Sequence, residues 1–261
     1  MKIRRHFLTE IGAFAAAAQF QMGAALAQVM PESPQNADLG NQGALYRFSF
    51  DVGLGGQVFC TAAVLPRRAF SAAIVQQKSS GAVPTAVRDI ARASHATVAI
   101  NGGRFNGAFA PDGLLIVDGK IIGRKRSDWP GYITIDAGGN ASVTNRPDLR
   151  RAIYAMQGDP LMIEPGGKMG MIREDNKRFR RTIIAQGGDS IIAMVTTPAS
   201  LFSLAYAMLE QPQAFFLSHI DAALNLSGAS TTSFYAHLAN GVDVFVSAYW
   251  PNRTVIIFSP R

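Results

Sequence analysis

The chain has 261 residues, of which 48% are hydrophobic and 16% are charged, and its formal net charge is +7. This composition excludes an intrinsically disordered chain, a coiled coil and a low-complexity protein, and the length allows one large core. The single cysteine, Cys60, excludes an internal disulfide framework and a cysteine-built zinc site, and the four histidines show no HExxH spacing.

The first 27 residues are typical of an export signal. Basic residues at positions 2, 4 and 5 precede a mildly apolar stretch, and Ala25-Leu26-Ala27 forms an A-x-A cleavage site. The pair Arg4-Arg5 followed by Phe7-Leu8 resembles a twin-arginine signal. Because the apolar stretch is too short to span a bilayer, we expect a signal peptide over 1–27, a periplasmic or secreted protein and no stable membrane anchor.

The remaining chain divides into a linker and one domain. Residues 28–43 carry Pro, Gln, Asn and Gly with little apolar pattern and predict a linker, whereas residues 44–261 predict a single domain. Short apolar runs separated by turns predict strands over 44–52, 57–65, 70–76, 97–100, 114–117, 120–122, 132–136, 141–144, 160–164, 182–186, 190–195, 215–218, 222–226, 242–249 and 254–258.

Two segments have a helical period. Residues 85–95 predict a helix with Thr85 as N-cap, and residues 200–210 predict one with Ser200 as N-cap and Pro212 just past its end. Because strands dominate and helices are few, the predicted fold is α+β, with mixed β-sheets in a single catalytic-type domain.

The first segment that favours binding chemistry is the strand that runs into Asn101-Gly102-Gly103-Arg104. Two glycines let backbone N–H groups approach a ligand closely, and an asparagine both donates and accepts hydrogen bonds. The alternative is an ordinary turn at the end of a strand.

The second segment is Arg181-Thr182, which ends a basic run and enters a strand. A guanidinium binds two oxygens of a phosphate or carboxylate at once, and the neighbouring hydroxyl adds a donor. The alternative is a solvated basic loop. Acidic residues interrupt the run and no aromatic residues interleave with it, so a nucleic-acid partner is not expected.

The third segment is a strand that carries Asn225 and opens into a loop of small, hydroxyl-bearing residues. Ser227, Gly228, Ser230 and Thr231 offer backbone N–H and hydroxyl groups to an anion or a sugar. The loop is not a GxSxG nucleophile elbow, and a tight structural loop is the alternative. The stretch Gly158-Asp159-Pro160, taken alone, indicates a turn and a strand.

Five segments, in their order along the chain, resemble the phosphodiester glycosidase family. They are INGGRFN at 100–106, GLLIVDGK at 113–120, GDPL at 158–161, RT at 181–182 and ALNLSGASTT at 223–232. The resemblance covers roughly residue 45 to the C-terminus. It departs from the family at Asn106 and Ser227, where the family has aspartates.

The resemblance implies hydrolysis of a sugar-1-phosphodiester at the glycosidic carbon, giving a free sugar and a phosphate monoester. The substrate would be a small molecule or polysaccharide with a phosphate or other anionic group. No cofactor is expected and no residue is assigned to a metal site, while the need for a divalent metal stays open. The leaving group is already an anion, so it mainly needs charge stabilisation. The implied catalytic residues are Arg181, Thr182, Ser227 and Asp159, and the implied substrate-binding residues are Asn101, Gly102, Gly103, Arg104, Asn225, Gly228, Ser230 and Thr231.

Three hypotheses follow. An exported hydrolase requires Arg181, Asn101 and Ser227 to share one face of the fold, with Asp159 or Asp112 as the carboxylate that glycoside hydrolysis usually needs. The loss of two family carboxylates instead favours a non-catalytic relative that binds or helps process envelope polysaccharide. The third and least favoured hypothesis is a serine hydrolase that pairs Ser227 or Ser230 with His219 or His237.

Overall fold

The protein is described by a computed structural model over residues 35–51, 56–77 and 85–261. The helices in these ranges are α1 (Val87–Ala93) and α2 (Leu201–Glu210). The strands are β1 (Gln35–Gly40), β2 (Gly43–Asp51), β3 (Gln57–Pro66), β4 (Phe70–Gln76), β5 (Val98–Asn101), β6 (Leu115–Val117), β7 (Lys120–Gly123), β8 (Gly131–Asp136), β9 (Ala141–Thr144), β10 (Ala152–Gly158), β11 (Leu161–Glu164), β12 (Lys168–Met169), β13 (Phe179–Gly187), β14 (Ser190–Ala199), β15 (Ala222–Asn225), β16 (Phe234–His237), β17 (Asp243–Val246) and β18 (Thr254–Pro260).

These strands form three sheets. The largest has the order β1-β2-β3-β14-β13-β15-β11-β12, and the two five-stranded sheets have the orders β7-β6-β10-β8-β9 and β17-β16-β5-β18-β4. The pairings that join neighbouring described strands are antiparallel. One buried apolar cluster receives side chains from all three sheets, including Ile184, Ile133 and Ile100. The three sheets therefore enclose a common core.

The two helices cover outer faces of this arrangement. Helix α2 packs on the largest sheet through a second buried cluster that includes Leu204 and Ile183. Helix α1 packs on the β5 sheet through Ile90. Because successive strand residues point to opposite faces, Ile183 contacts the α2 layer while Ile184 points into the shared core.

The predicted α+β class with few helices in one domain is confirmed. The Ser200 cap of α2 is also confirmed, since its side chain accepts a hydrogen bond from the Ser203 N–H at 3.2 Å. The predicted cap of α1 is wrong: that helix starts at Val87 with Ala86 at the N-cap position. The Thr85 N–H instead donates to the Gln77 side chain.

Several predicted element assignments change. The linker prediction over 28–43 does not hold for Gln35–Gly40, which pairs with β2 as an edge strand. The strand predicted over 215–218 is wrong, because Pro212–Phe215 forms a 3-10 turn that ends at Phe216 with φ 63°. Strands β10 and β16 were not predicted. The predicted signal peptide over 1–27 lies outside the described residues. Among the helices that are described, none has the length and apolar character needed to cross a bilayer.

Candidate active site

Four strand ends converge at one place in the fold: the ends of β5, β10 and β15 and the start of β13. The Ser227 N–H donates to the Gly102 carbonyl at 3.1 Å, which joins the residues after β15 to those after β5. The Asn225 N–H donates to the Pro160 carbonyl at 3.1 Å, and a Cβ at Gly158 would lie 2.7 Å from the Asn225 carbonyl oxygen. The predicted segments are therefore brought together around one junction.

Asn101 is the hydrogen-bonding centre of this junction and is fully buried. Its Oδ1 accepts from the Thr182 hydroxyl at 2.6 Å and from the Ser233 N–H at 2.9 Å. Its Nδ2 donates to the Ser227 carbonyl at 2.6 Å. Both side chains, Asn101 and Thr182, are thus bound inside the protein and hold the loop in place rather than face a substrate.

The two glycines after Asn101 also serve the packing. The N–H of Gly102 donates to the Thr254 carbonyl at 2.8 Å, and the N–H of Gly103 faces the Met156 sulfur at 2.8 Å and the Thr254 hydroxyl at 3.1 Å. A Cβ at Gly102 would lie 2.3 Å from the Thr254 hydroxyl. These N–H groups are already bonded, so the expected ligand cradle at Gly102 and Gly103 is not present.

The loop from 227 to 231 is closed by its own hydroxyl groups. The side chains of Ser227 and Thr231 are hydrogen bonded at 2.7 Å, and the Thr231 hydroxyl donates to the Gly228 carbonyl at 2.8 Å. A Cβ at Gly228 would lie 2.8 Å from the Arg180 carbonyl oxygen, so this position needs glycine. Ala229 has φ 57°, in the left-handed region that favours glycine.

The two arginines at the start of β13 occupy opposite faces of the sheet. Arg181 is 8% exposed, and its guanidinium donates to the carbonyls of Ala199 at 2.9 Å and Lys177 at 2.7 Å on the α2 side. Burial lowers the pKa of Arg181. It does not share a face with Asn101 and Ser227, so the requirement stated for the hydrolase hypothesis is not met by this residue.

Arg180, which that requirement did not name, lies on the Asn101 face. Its guanidinium donates to the carbonyls of Thr232 and Ser247, each at 3.1 Å, and lies 4.9 Å from the centre of the Tyr249 ring. Arg180 was missed as a site residue. Period-two alternation was the available signal, because it places residue 180, not residue 181, on the same face as Thr182.

Asp159 supplies a carboxyl group at the same junction. It is half-buried, and burial raises its pKa, while the nearby positive charge of Arg104 opposes that shift. The Asp159 carbonyl accepts from the Asn225 side-chain amide at 2.8 Å. The Asn225 Oδ1 is buried and has no hydrogen-bond partner. An unpaired acceptor and a carboxyl group with a perturbed pKa therefore belong to two residues in direct contact, and both features are typical of functional sites.

Two further arginines surround Trp129 next to Asp159. The guanidinium carbons of Arg104 and Arg126 lie 5.5 Å and 4.8 Å from the Trp129 ring centre. Arg126 also forms an ion pair with Asp112 at 2.9 Å, so Asp112, the other candidate carboxylate, is already paired. Arg126 was not predicted as part of the site, because no motif in the sequence marked it.

The two departures from the family have different local roles. The Asn106 Oδ1 accepts from the N–H groups of Ala108 at 3.0 Å and Ala110 at 3.1 Å, which closes an exposed turn. A carboxylate oxygen would accept the same two bonds. Ser227, in contrast, places a neutral hydroxyl at the junction itself.

The serine hydrolase hypothesis has no geometric support. His219 lies beside the β13–β14 turn, near Gly188, and His237 lies at the opposite end of β16 from the junction, bonded to Asp243 at 2.7 Å. Neither histidine contacts Ser227 or Ser230 in the described part of the chain. Across the described ranges, no cluster of three or more His, Cys, Asp and Glu side chains suits a metal ion.

The sequence profile of the phosphodiester glycosidase family matches residues 94–258. The matched span contains the junction described above. No curated protein matches the chain by sequence.

Solved structures show the same fold. The catalytic domain of zebrafish N-acetylglucosamine-1-phosphodiester alpha-N-acetylglucosaminidase, auto-inhibited by its pro-peptide, has a TM-score of 0.60 at 14% identity, over 87% of this chain and 88% of that chain. A hypothetical protein from Synechocystis has a TM-score of 0.60 at 16% identity, over 87% of this chain and 64% of that chain. A Burkholderia pseudomallei protein that is predicted to be exported has a TM-score of 0.54 at 12% identity, over 80% and 75%.

Proposed function

This chain belongs to the phosphodiester glycosidase family, and from that premise we propose that it is an exported hydrolase of sugar-1-phosphodiester or related anionic saccharide bonds. The products are a free sugar and a phosphate monoester. The observation that carries the proposal is that Asp159 lies close to Arg104 at the junction where the family's segments converge. Burial raises the pKa of this Asp159 carboxyl group.

Two arginines bind the phosphate part of such a substrate. Arg104 and Arg180 stabilise the phosphate, because a guanidinium binds phosphate oxygens in a planar fork. Since the departing phosphate monoester is a stable anion, it needs this charge stabilisation and no proton donor.

Asp159 acts in its ionised form as the base. It removes a proton from water as the water oxygen bonds to the anomeric carbon and the bond from that carbon to the phosphate oxygen breaks. The proton passes from the Asp159 carboxyl to solvent. Asn101 and Thr182 act as positioning residues, because they hold the 227–231 loop and the start of β13 in register.

Export rests on the sequence of the first 27 residues, with the basic n-region and the A-x-A site. A structural relative that is itself predicted to be exported supports the same location.

One observation favours a second candidate function. Ser227 replaces a family aspartate, and its hydroxyl is already bonded to Thr231 at 2.7 Å. A site that has lost this carboxylate while it keeps its arginines suits a family member that binds envelope polysaccharide, or helps process it, without cleaving it.

Phosphorus NMR separates the two functions. Purified protein is incubated with the methyl phosphodiester of N-acetylglucosamine-1-phosphate, and the methyl phosphate signal is followed over time. The hydrolase predicts a growing monoester signal that Asp159→Asn abolishes and that Asp189→Asn, an exposed aspartate on the β13–β14 turn, leaves unchanged. No monoester from this compound or from the glucose and galactose analogues would contradict the hydrolase and favour the binding protein.

A further inference from the structure

A cavity of about 380 Å³ lies beside the candidate active site, between the start of α1 and the segment 245–252. This volume is within the range of small-molecule sites. Three aromatic side chains on its lining are largely exposed: Tyr249 at 80%, Trp250 at 64% and Phe245 at 49%. Exposed aromatic side chains that share one cavity mark an interaction site, because isolated surface aromatics do not gather in this way.

The cavity is physically continuous with the active-site loop. The N–H groups of Tyr249 and Trp250 both donate to the Ser230 carbonyl, at 2.7 Å and 2.9 Å. Arg180 bonds the Ser247 carbonyl and lies over the Tyr249 ring, so one guanidinium borders both the cavity and the junction. A ligand that extended beyond the active site past Arg180 would reach this cavity.

The lining chemistry favours a sugar ring as the occupant. Aromatic faces pack against the C–H faces of a pyranose, and the exposed side chain of Ser247 offers a partner for one of its hydroxyl groups. Among the described residues of the lining, Arg88 is the one charged side chain, which suits a neutral or anionic glycan.

We propose that this cavity is a second saccharide subsite, so that the chain acts on an oligosaccharide or polysaccharide in which a further sugar ring stacks on Tyr249 and Trp250. The proposal rests on the proposed function for the location of the bond that is cleaved. Saccharide binding to the cavity is measured directly and does not require turnover.

The chain contains two tryptophans, and the structure places them in contrasting environments: Trp250 is 64% exposed in the cavity and Trp129 is 5% exposed. Acrylamide quenching of the protein's fluorescence therefore reports mainly on Trp250. The probes are tetrasaccharides of N-acetylglucosamine, glucose and galacturonic acid, together with the three monosaccharides.

We expect at least one tetrasaccharide to protect Trp250 from quenching, with a Kd at least about tenfold lower than that of its monosaccharide. Tyr249→Ala should raise this Kd about tenfold, the effect of losing one stacked ring. Phe59→Ala removes a comparably exposed aromatic from β3, which does not line the cavity, and should leave the Kd unchanged.

The outcomes separate the subsite from the hydrolase. Protection that Tyr249→Ala weakens supports the subsite whether or not a phosphodiester is cleaved. Cleavage of the methyl phosphodiester without protection by any of the three tetrasaccharides supports the hydrolase and overturns the subsite. Protection that is equal in the wild type and Tyr249→Ala also overturns it.

Discussion

The two faces of β13 at its first residues contain adjacent arginines in opposite chemical situations. On the α2 face, Arg181 is buried, and two backbone carbonyls accept hydrogen bonds from it. On the face toward Asn101, Arg180 is partly exposed, lies over an exposed tyrosine ring and borders a cavity. Two adjacent residues of one strand therefore differ fully in exposure and in hydrogen-bond partners. A charged side chain is a candidate for function only where it is accessible to a ligand.

The α2 face shows what Arg181 does instead. Its guanidinium ties the Lys177 carbonyl to the Ala199 carbonyl. In the same loop, Glu174 accepts hydrogen bonds from the hydroxyls of Ser200 and Ser203 at the start of α2. The residues on this face fasten a loop to a helix, whereas those on the other face surround a junction of strand ends.

The largest expected effect is on the junction face. Asp159→Asn should lower the turnover rate about 1000-fold, because general-base catalysis is worth about 100- to 10,000-fold. In the wild type, the rate should fall as the pH drops through the Asp159 pKa, which burial raises above the ordinary aspartate value. A pH–rate profile measures both effects.

The same substitution should raise the free energy of unfolding at neutral pH. A carboxyl group whose folded-state pKa is raised destabilises the folded protein when it is ionised, and asparagine removes that cost. Urea unfolding at pH 7 checks this. A rate loss accompanied by lower stability would instead indicate a structural role for Asp159.

The second effect concerns the hydrogen-bonding centre of the junction. Asn101→Ala leaves the Thr182 hydroxyl and the Ser233 N–H without their buried partner, and should lower the free energy of unfolding by about 3 kcal/mol. Asn106→Ala, in an exposed turn, should cost about 1 kcal/mol or less. Equal losses in chemical denaturation would mean that the junction is not organised around Asn101.

The third effect lies on the α2 face and should affect stability alone. Ser200→Ala removes the N-cap bond to the Ser203 N–H and one partner of Glu174, and should cost about 1 kcal/mol of unfolding free energy. Ser200→Thr keeps the capping hydroxyl and should stay closer to the wild type. If Ser200→Ala lowered the turnover rate of the folded protein, the two faces would not be independent.

The smallest expected effect is on the pH dependence of stability and concerns Asp243, which is distant from both faces of β13. The hydrogen bond from His237 lowers the pKa of Asp243 to about 2, and bonds from Arg92 and Tyr235 add to this against burial. Because the folded-state pKa is depressed, the stabilisation is present above about pH 4 and is lost as the pH falls toward about 2. Unfolding measured from pH 5 to pH 2 should show a shallower loss in Asp243→Asn, while Asp148→Asn, at an exposed site, should follow the wild type.

Much of the strand pattern was readable from the sequence because it depends on local rules. The strand Phe70–Gln76 and the cap of α2 follow from apolar periodicity and from a serine before a helical run. Strand β10 was not predicted, because Ala152–Gly158 contains no alternating pattern and is stabilised by pairing with β6 and β8. Strand β1 was not predicted for the same reason: its polar sequence is ordered by pairing with β2.

The site was predictable as a set of segments but not as a set of contacts. The convergence of 101, 159, 225 and 227 agrees with the segments that the sequence singled out. The role of each side chain depended on tertiary partners: Asn101 looked like a ligand-binding amide and is fully bonded inside the protein. Alternation along β13 decides between Arg180 and Arg181, and only the position of Thr182 opposite Asn101 shows which face is which.

The contrast between the two arginines gives the most direct test of the central claim. We would measure kcat/KM for the N-acetylglucosamine methyl phosphodiester by phosphorus NMR, and the free energy of unfolding by urea, for Arg180→Met and Arg181→Met. Arg180→Met should lower kcat/KM about 100-fold with stability within about 1 kcal/mol of the wild type. Arg181→Met should lose about 2 kcal/mol of stability, with kcat/KM of the folded protein within about threefold of the wild type. The reverse pattern would contradict the claim that the active site lies on the Asn101 face of β13.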